Sequence, residues 1–318
     1  MMKIVSSAKM SEKHQLNLRE KYPEVDFYFF DNIDQAFDEL SSADVLITYG
    51  EDLTEEIMKN CIHLKWIHVL SAGLNKIPFK VLKEKGIVLT NARGIHHIPM
   101  SEYTMGVILQ LARKTIDIYK NQLAKKWDRT IRVSEINGKT LGIIGLGSIG
   151  KGIAEKAKAF DMKVIGMNTD GKYVPNVDQV FKHEQLHDLL AESDYVVVIV
   201  PLTEKTYHLI GEQEFKAMKN TAYFINISRG DVIDELAIIN ALENGEIAGA
   251  VLDVFSEEPL PTDHPLWSLE NCFITPHLSG RSPKYMERAL EIFINNLNKY
   301  IEDNYSTMEN LIDLDKGY

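Results

Sequence analysis

Six residues, Gly145-Leu146-Gly147-Ser148-Ile149-Gly150, restrict the folds open to this chain more than any other stretch. They follow an apolar run, residues 141–144, and open a helical pattern that extends to Phe160. An apolar strand, a tight glycine turn and a helix, in that order, begin a crossover unit and commit the surrounding sheet to parallel strands. Gly145 permits the tight turn, Gly147 leaves room for a pyrophosphate beside the backbone, and Gly150 lets the helix pack close to the strand. Ser148 and Ile149 start the helix, whose unpaired N–H groups and partial positive charge suit phosphate. A tight α/β turn with no ligand shows the same pattern, but the strand before it and the helix after it favour a dinucleotide.

The rest of the chain repeats that alternation. Short apolar runs at 3–6, 25–30, 45–48, 66–69 and 88–90 are separated by amphipathic stretches such as 12–21 and 34–40. Runs without polar alternation are strands covered on both faces, as in a parallel sheet. Pro99, Ser101 and Glu102 suit a helix start, and 100–120 is predicted as one long helix, followed by a loop at 127–136. A second series follows. Its predicted strands are 141–145, 163–167, 195–200, 222–226, 248–252 and 273–274, and its helices are 148–160, 184–190 and 235–243, the last stopped by Asn244-Gly245. A final helix is predicted over 284–301. The fold class is α/β with two doubly wound parallel-sheet domains, and the helix from Met100 marks their boundary.

Composition narrows the function. The 318 residues carry a net charge of −11, which repels phosphate backbones and argues against a nucleic-acid partner. Cys61 and Cys272 are the only cysteines, too few for a disulfide framework, and they suit a reducing cytoplasm. Neither lies at a metal-ligand spacing, so no metal is expected. The first seven residues hold too short an apolar run for a signal peptide, and no uncharged apolar stretch approaches the roughly 20 residues needed to span a bilayer.

Three polar residues stand where local structure does not call for them. Arg229 follows strand 222–226, Glu258 follows 248–252, and His277 follows 273–274. Each lies past the carboxyl end of a strand in the sheet whose glycine turn opens at the same edge, where ligands bind in such sheets. Taken singly, each has an ordinary reading: a solvated turn for Glu258, a strand-end residue for Arg229, a surface histidine for His277. Their ordered succession after the glycine turn favours a common site. The ribose-reading position lies about 20 residues beyond the turn. There the sequence is Asn168-Thr169-Asp170-Gly171-Lys172. Asn168 does not repel a 2′-phosphate, Thr169 offers it a hydrogen bond, and Lys172 offers charge, while Asp170 opposes. The cofactor is therefore NADP or NAD, leaning to NADP.

With these residues in view, the chain resembles the D-isomer-specific 2-hydroxyacid dehydrogenase family, which includes glyoxylate/hydroxypyruvate reductases and phosphoglycerate dehydrogenases. The likeness runs through 91–105, 138–150, 200–210, 226–234, 249–260 and 275–280, with Ser71-Ala72-Gly73 resembling a substrate-carboxylate loop. It implies a Rossmann cofactor domain, 96–284, inserted in a flavodoxin-like substrate domain, 1–95 plus 285–318. It implies hydride transfer between NAD(P)H and a small 2-keto acid or D-2-hydroxy acid. By the same resemblance His277 exchanges the proton, Glu258 orients its ring and favours the protonated form, and Arg229 grips the substrate carboxylate and carbonyl. The N–H groups of Ala72 and Gly73 would hold the carboxylate, Asp253 would meet the nicotinamide carboxamide, Ile227 and Ser228 would flank the nicotinamide, and Pro201, Thr203 and Thr206 would line the cofactor. A homodimer built on the arm with Trp127 is also implied.

Two departures stand out: no acidic ribose reader, and Ser279-Gly280-Arg281 where the family often has Gly-Ala, with Arg281 expected to face solvent. The end at Tyr318 suggests no appended regulatory domain. Candidates for the pocket wall are Tyr49, Arg93, His96 and Met100; histidines other than His277 are otherwise expected to be structural or exposed. A nucleotide-sensing, corepressor-like binding protein on the same fold is the alternative. A methyltransferase on a Rossmann domain would leave the three polar residues without a role.

Overall fold

The computed structural model describes residues 1–74 and 76–315. The chain divides into two compact units, Met1–Ile95 with Ser282–Tyr318, and His96–Arg281. The second crossing falls in coil between Arg281 and Ser282, ahead of the last helix and not at its start as the sequence suggests. The final three residues of the segment 285–318 lie outside the described residues.

In the first unit β1 (Met2–Ser6), α1 (Glu12–Lys21), β2 (Val25–Phe29), α2 (Ile33–Leu40), β3 (Val45–Thr48), α3 (Glu55–Asn60), β4 (Trp66–Val69), α4 (Phe79–Lys85) and β5 (Val88–Asn91) alternate strictly. The strands are all parallel, in the order β2-β1-β3-β4-β5. Every residue of β3 and β4 is buried, because helices cover both faces. Local chemistry sets the helix ends. The Asn32 side chain accepts the Gln35 N–H at 3.0 Å, Thr54 accepts that of Ile57 at 3.2 Å, and Gly86 stops α4 in a left-handed conformation.

The second unit opens with α5 (His97–Arg113) and α6 (Thr115–Leu123), two helices where one was predicted. The break is at Lys114, which adopts φ 54° and donates its N–H to the carbonyls of Gln110 and Leu111. A lysine in the left-handed region carries no sequence mark. It is held there by its ammonium group, which donates to the Tyr223 hydroxyl at 3.0 Å and sits over that ring.

The sheet follows as β6 (Thr140–Ile144), α7 (Ser148–Ala159), β7 (Lys163–Met167), β8 (Gln179–Phe181), α8 (Leu186–Glu192), β9 (Tyr195–Val198), α9 (Glu212–Ala217), β10 (Tyr223–Asn226), α10 (Glu235–Glu243), β11 (Gly249–Leu252) and β12 (Cys272–Ile274). All seven strands are parallel, in the order β12-β11-β10-β9-β6-β7-β8. Strand succession runs outward from β6 through β7 to β8, then reverses with β9 on the other side of β6. That reversal leaves a crevice at the carboxyl ends of β6 and β9.

The chain ends in the first unit with α11 (Tyr285–Ile301), whose Ala289, Leu290, Phe293, Leu297 and Tyr300 form one buried face. Phe293 and Tyr300 stack on Trp66 at centroid distances of 5.3 and 5.2 Å. Beside them His68 is wholly buried, its Nδ1 bonded to the Thr90 hydroxyl at 2.9 Å. Among the described residues no helix is long and apolar enough to cross a membrane.

Candidate active site

Because the second sheet is parallel throughout, everything that follows a strand emerges at one edge. Gly145 follows β6, Arg229 follows β10, Glu258 follows β11 and His277 follows β12. Backbone packing joins the last three. A Cβ built on Gly230 would lie 2.0 Å from the carbonyl carbon of Phe255 and 2.2 Å from the nitrogen of Ser256. The turn carrying Arg229 therefore rests directly on the turn that leads to Glu258, and only glycine allows it.

Glu258 is aimed by that second turn. Its Oε1 accepts the Phe255 N–H at 3.0 Å, and its Oε2 lies 2.8 Å from Nδ1 of His277. With a carboxylate as acceptor, Nδ1 carries a proton and Nε2 is left for other chemistry. Both side chains keep access to solvent, with 51% of the His277 and 36% of the Glu258 side chain exposed.

His277 adopts φ 52°, a left-handed conformation that histidine takes more readily than most residues but still at a cost. Its N–H bonds to the carbonyls of Asp253 and Thr275 at 2.9 and 3.0 Å. The Asp253 carboxylate holds the rest of the loop. Oδ1 accepts from the Thr275 hydroxyl at 2.5 Å and the Leu278 N–H at 2.8 Å, and Oδ2 from the Ser279 N–H at 2.9 Å. Thr275 is in turn tied to the Tyr103 hydroxyl at 2.7 Å. Asp253 is 0% exposed, and its carboxylate anchors the loop that carries His277.

Arg229 is exposed, with Nη1 donating to its neighbour's carbonyl, Ser228 O, at 2.6 Å. Asn226 shapes the turn beneath: its Nδ2 donates to the Arg229 carbonyl at 3.0 Å, and its Oδ1 takes the N–H and hydroxyl of Ser228 at 3.0 and 2.7 Å. Ile227 and Ser228 are buried, and the Ser228 hydroxyl donates to Asn226.

The three glycines of the turn differ in what requires them. Gly145 has φ 111°, and a Cβ there would meet the Ile199 carbonyl oxygen at 2.4 Å; one at Gly150 would meet the Gly145 carbonyl oxygen at 2.1 Å. The fold needs both. Gly147 has φ −73°, and a Cβ there meets nothing within 4 Å. It caps α7 without any side-chain hydrogen bond, with Ser148 exposed and Ile149 half-buried behind it. A helix N-terminus left uncapped, beside a glycine the fold does not need, fits a pyrophosphate pressed against the backbone.

The ribose-reading turn is held by its own side chains. Asn168 Oδ1 accepts the Gly171 N–H at 2.7 Å and its Nδ2 donates to the Lys172 carbonyl at 3.1 Å, so the side chain shapes its own turn. Lys172 pairs with Asp170 at 2.7 Å, and the hydrogen bonds from the Lys172 side chain and N–H hold the Asp170 carboxyl below its ordinary range. Thr169 is exposed. In the stretch after β9 the Thr206 hydroxyl donates to the Pro201 carbonyl at 2.6 Å and bonds the Thr203 hydroxyl at 2.9 Å, which folds that turn on itself.

Ala72 and Gly73 belong to the first unit, past the end of β4. The Ala72 carbonyl accepts from Asn91 Nδ2 at 2.9 Å and the Gly73 carbonyl from the Ser71 hydroxyl at 3.0 Å. Of the other histidines, His68 is buried and His63, His183, His187 and His208 are exposed, while His187 and His264 are each paired with a glutamate at 2.9 Å. His96 is set apart, half-buried with its ring against Gly280. Sequence reasoning passed over Gly230 and the anchoring task of Asp253; an aspartate closing an apolar strand was the available signal for the second. Among the described residues no group of three or more His, Cys, Asp or Glu is arranged to hold a metal ion.

Comparison with known proteins matches this architecture. Residues 105–279 fit the family described as D-isomer specific 2-hydroxyacid dehydrogenase, NAD binding domain. A glyoxylate reductase of Thermofilum pendens is 36% identical over 259 residues, 80% of this chain and 76% of that protein. A D-isomer specific 2-hydroxyacid dehydrogenase family protein from Aeromonas salmonicida superposes with TM-score 0.86 at 31% identity, over 98% of this chain and 99% of its own. A family member from Xanthobacter autotrophicus, solved with NADPH, superposes with TM-score 0.82 at 25% identity, over 100% of this chain and 99% of its own. The chain belongs to the D-isomer-specific 2-hydroxyacid dehydrogenase family.

Proposed function

We propose that Arg229 and His277, with Glu258 behind the histidine, carry the chemistry of this NAD(P)-dependent dehydrogenase. The Gly145–Gly150 turn would hold the pyrophosphate of a dinucleotide, whose nicotinamide would supply or take the hydride at C2 of the acid. In reduction, His277 Nε2 gives its proton to the former keto oxygen as the hydride arrives; in oxidation the neutral ring takes it back. Glu258 keeps a proton on Nδ1 and fixes the ring plane. Arg229 binds the carboxylate with its forked guanidinium and stabilises charge developing on the C2 oxygen. The 2.8 Å contact between His277 Nδ1 and Glu258, made at adjacent strand ends of one sheet, carries this reading.

The glyoxylate reductases among the relatives support a short 2-keto acid as substrate. A neutral Asn168 in place of an acidic ribose reader supports NADPH, as does NADPH in the Xanthobacter relative, although Asp170 offsets part of the Lys172 charge. We extend the proposal to a cytoplasmic homodimer without membrane or nucleic-acid partners. Two free thiols and a net charge of −11 support it, and so does an exposed apolar arm of Ile118, Tyr119, Leu123 and Trp127, the last 92% exposed. No observation favours the corepressor-like alternative.

The test is turnover of glyoxylate, hydroxypyruvate and pyruvate with NADPH and with NADH, in wild type and His277→Ala. The variant should lose about 10²–10⁴-fold in kcat, with nucleotide affinity kept. An unchanged kcat removes His277 from the proton transfer, and a much lower KM for NADH than for NADPH reverses the cofactor preference.

A further inference from the structure

A cavity of about 360 Å³ lies in the first unit, at the edge of the sheet where its strands begin and so opposite the edge that carries Ala72 and Gly73. Its wall draws on several elements. Met2 opens β1, Asp44 precedes β3 and Lys65 precedes β4, while Tyr300 lies in the last turn of α11 and Asp303 and Tyr305 follow that helix. Tyr300 is 6% exposed, and its ring is fixed by stacking on Trp66. The Tyr300 hydroxyl makes no hydrogen bond among the described residues and is not enclosed, which leaves it facing the cavity. A phenol this deeply placed ordinarily finds a partner within the fold. The two carboxylates are half used. Asp44 Oδ2 accepts the Lys3 N–H at 2.9 Å and Asp303 Oδ1 accepts the Tyr305 hydroxyl at 2.7 Å, and the other oxygen of each makes no bond among the described residues. Burial, and then the neighbouring Tyr305, Asp44 and Asp303, push the Tyr300 phenol above its ordinary range, so both carboxylates stand near that hydroxyl. The Tyr305 ring meets the Tyr300 ring edge-on at 5.1 Å.

We propose that this cavity is a binding site for a small primary amine in its protonated form. An alkylammonium brings three N–H donors and one positive charge. The Tyr300 hydroxyl and the two half-used carboxylates offer it one neutral and two charged acceptors. The tyrosine rings and the Met2 side chain give a short alkyl body an apolar wall, and the ring faces attract a cation. Lys65, exposed and in no ion pair among the described residues, opposes a bare amine in part and would meet the carboxylate of an amino acid. The ammonium is common to both kinds of ligand. The site lies away from the hydride chemistry and needs no nucleotide.

The test is calorimetric titration of the full chain with n-pentylamine, n-pentanol and norleucine at neutral pH and low salt. Pentylamine should bind at one site with Kd about 1 mM or tighter, and pentanol, the same body without the charge, at least about tenfold more weakly. Norleucine adds a carboxylate for Lys65. Tighter binding than pentylamine identifies an α-amino acid as the ligand, weaker binding a simple amine, and either supports the ammonium site. Tyr300→Phe removes a hydroxyl that holds nothing in the fold, so Tm should stay within about 2 °C while Kd rises about tenfold. Asp303→Asn should weaken binding by a similar factor. The proposal fails if neither pentylamine nor norleucine saturates below about 50 mM, if pentanol binds as tightly as pentylamine, or if Tyr300→Phe and Asp303→Asn both keep wild-type affinity.

Discussion

Replacing Gly230 by alanine tests whether the turns bearing Arg229 and Glu258 act as one piece. The new Cβ would stand 2.0 Å from Phe255 C, 2.2 Å from Ser256 N and 2.3 Å from Phe255 O, where real Cβ atoms essentially never come under 3.0 Å. The obstacle is backbone, so no side chain can swing away, and the two turns must part by about 1 Å. Phe255 N–H is the group that holds Glu258 Oε1 at 3.0 Å, and the other oxygen of that carboxylate holds His277. An opening of that size breaks one of these bonds or drags the ring with it. A misplacement of about 1 Å near reacting atoms costs on the order of 100-fold in rate. Overpacking of this kind costs about 3 kcal/mol, which lowers Tm by several degrees in a unit of this size. The assay is steady-state reduction of a 2-keto acid, run beside a thermal melt and a fluorescence titration with NADPH. We expect kcat to fall about 100-fold while nucleotide affinity, which depends on the distant glycine turn, changes less than about threefold. A folded variant with kcat within about threefold of wild type would refute the mechanical coupling.

Gly147→Ala should leave Tm unchanged, since its backbone suits alanine and its Cβ meets nothing, yet raise the NADPH Kd about tenfold or more. Unaltered affinity would show that no ligand approaches that backbone. Asp253→Asn sets an amide N–H₂ against a loop N–H and should cost about 1–3 kcal/mol with a parallel drop in kcat; a melt and a rate assay that both match wild type would rule out the anchor. His68 gives a pH dependence of stability. Burial lowers its pKa from an ordinary 6.5 to about 3. The unfolded chain therefore takes up a proton below pH 6.5 that the folded chain refuses, and stability falls by about 1.4 kcal/mol per pH unit from there toward pH 3. Denaturant titrations at pH 7, 6 and 5 should show this slope in wild type and not in His68→Phe; equal slopes would mean His68 is protonated in the fold.

The elements most visible in the sequence are those whose signal is local and strong. β3, β4 and β7 match their predicted bounds because each is a short, mostly apolar run between polar segments. The turn at Gly145 was visible for the same reason, since its glycines answer to neighbours a few residues away or one strand over. Arg229, Glu258 and His277 stand at one sheet edge because parallel strands send their ends the same way, a consequence of pattern alone. The break at Lys114 was hidden because the residue holding it, Tyr223, is far along the chain. β8 and α9 are too short for a periodic signal. The anchoring of the His277 loop by Asp253 was hidden because the N–H and hydroxyl groups it accepts come from residues 275–279, more than 20 positions along the chain. The local bonds of Asn168 were hidden as well: whether an asparagine side chain bonds its own turn depends on dihedral angles that composition does not contain.

The unequal standing of the three turn glycines bears on inheritance. A descendant of this protein that no longer carried a dinucleotide would still be obliged to keep glycine at 145 and 150, where the chain passes against itself. Position 147 would be released, and any residue tolerated there would fold as well as before. Among relatives, that position records whether the ligand has been retained, while its two neighbours record only the architecture.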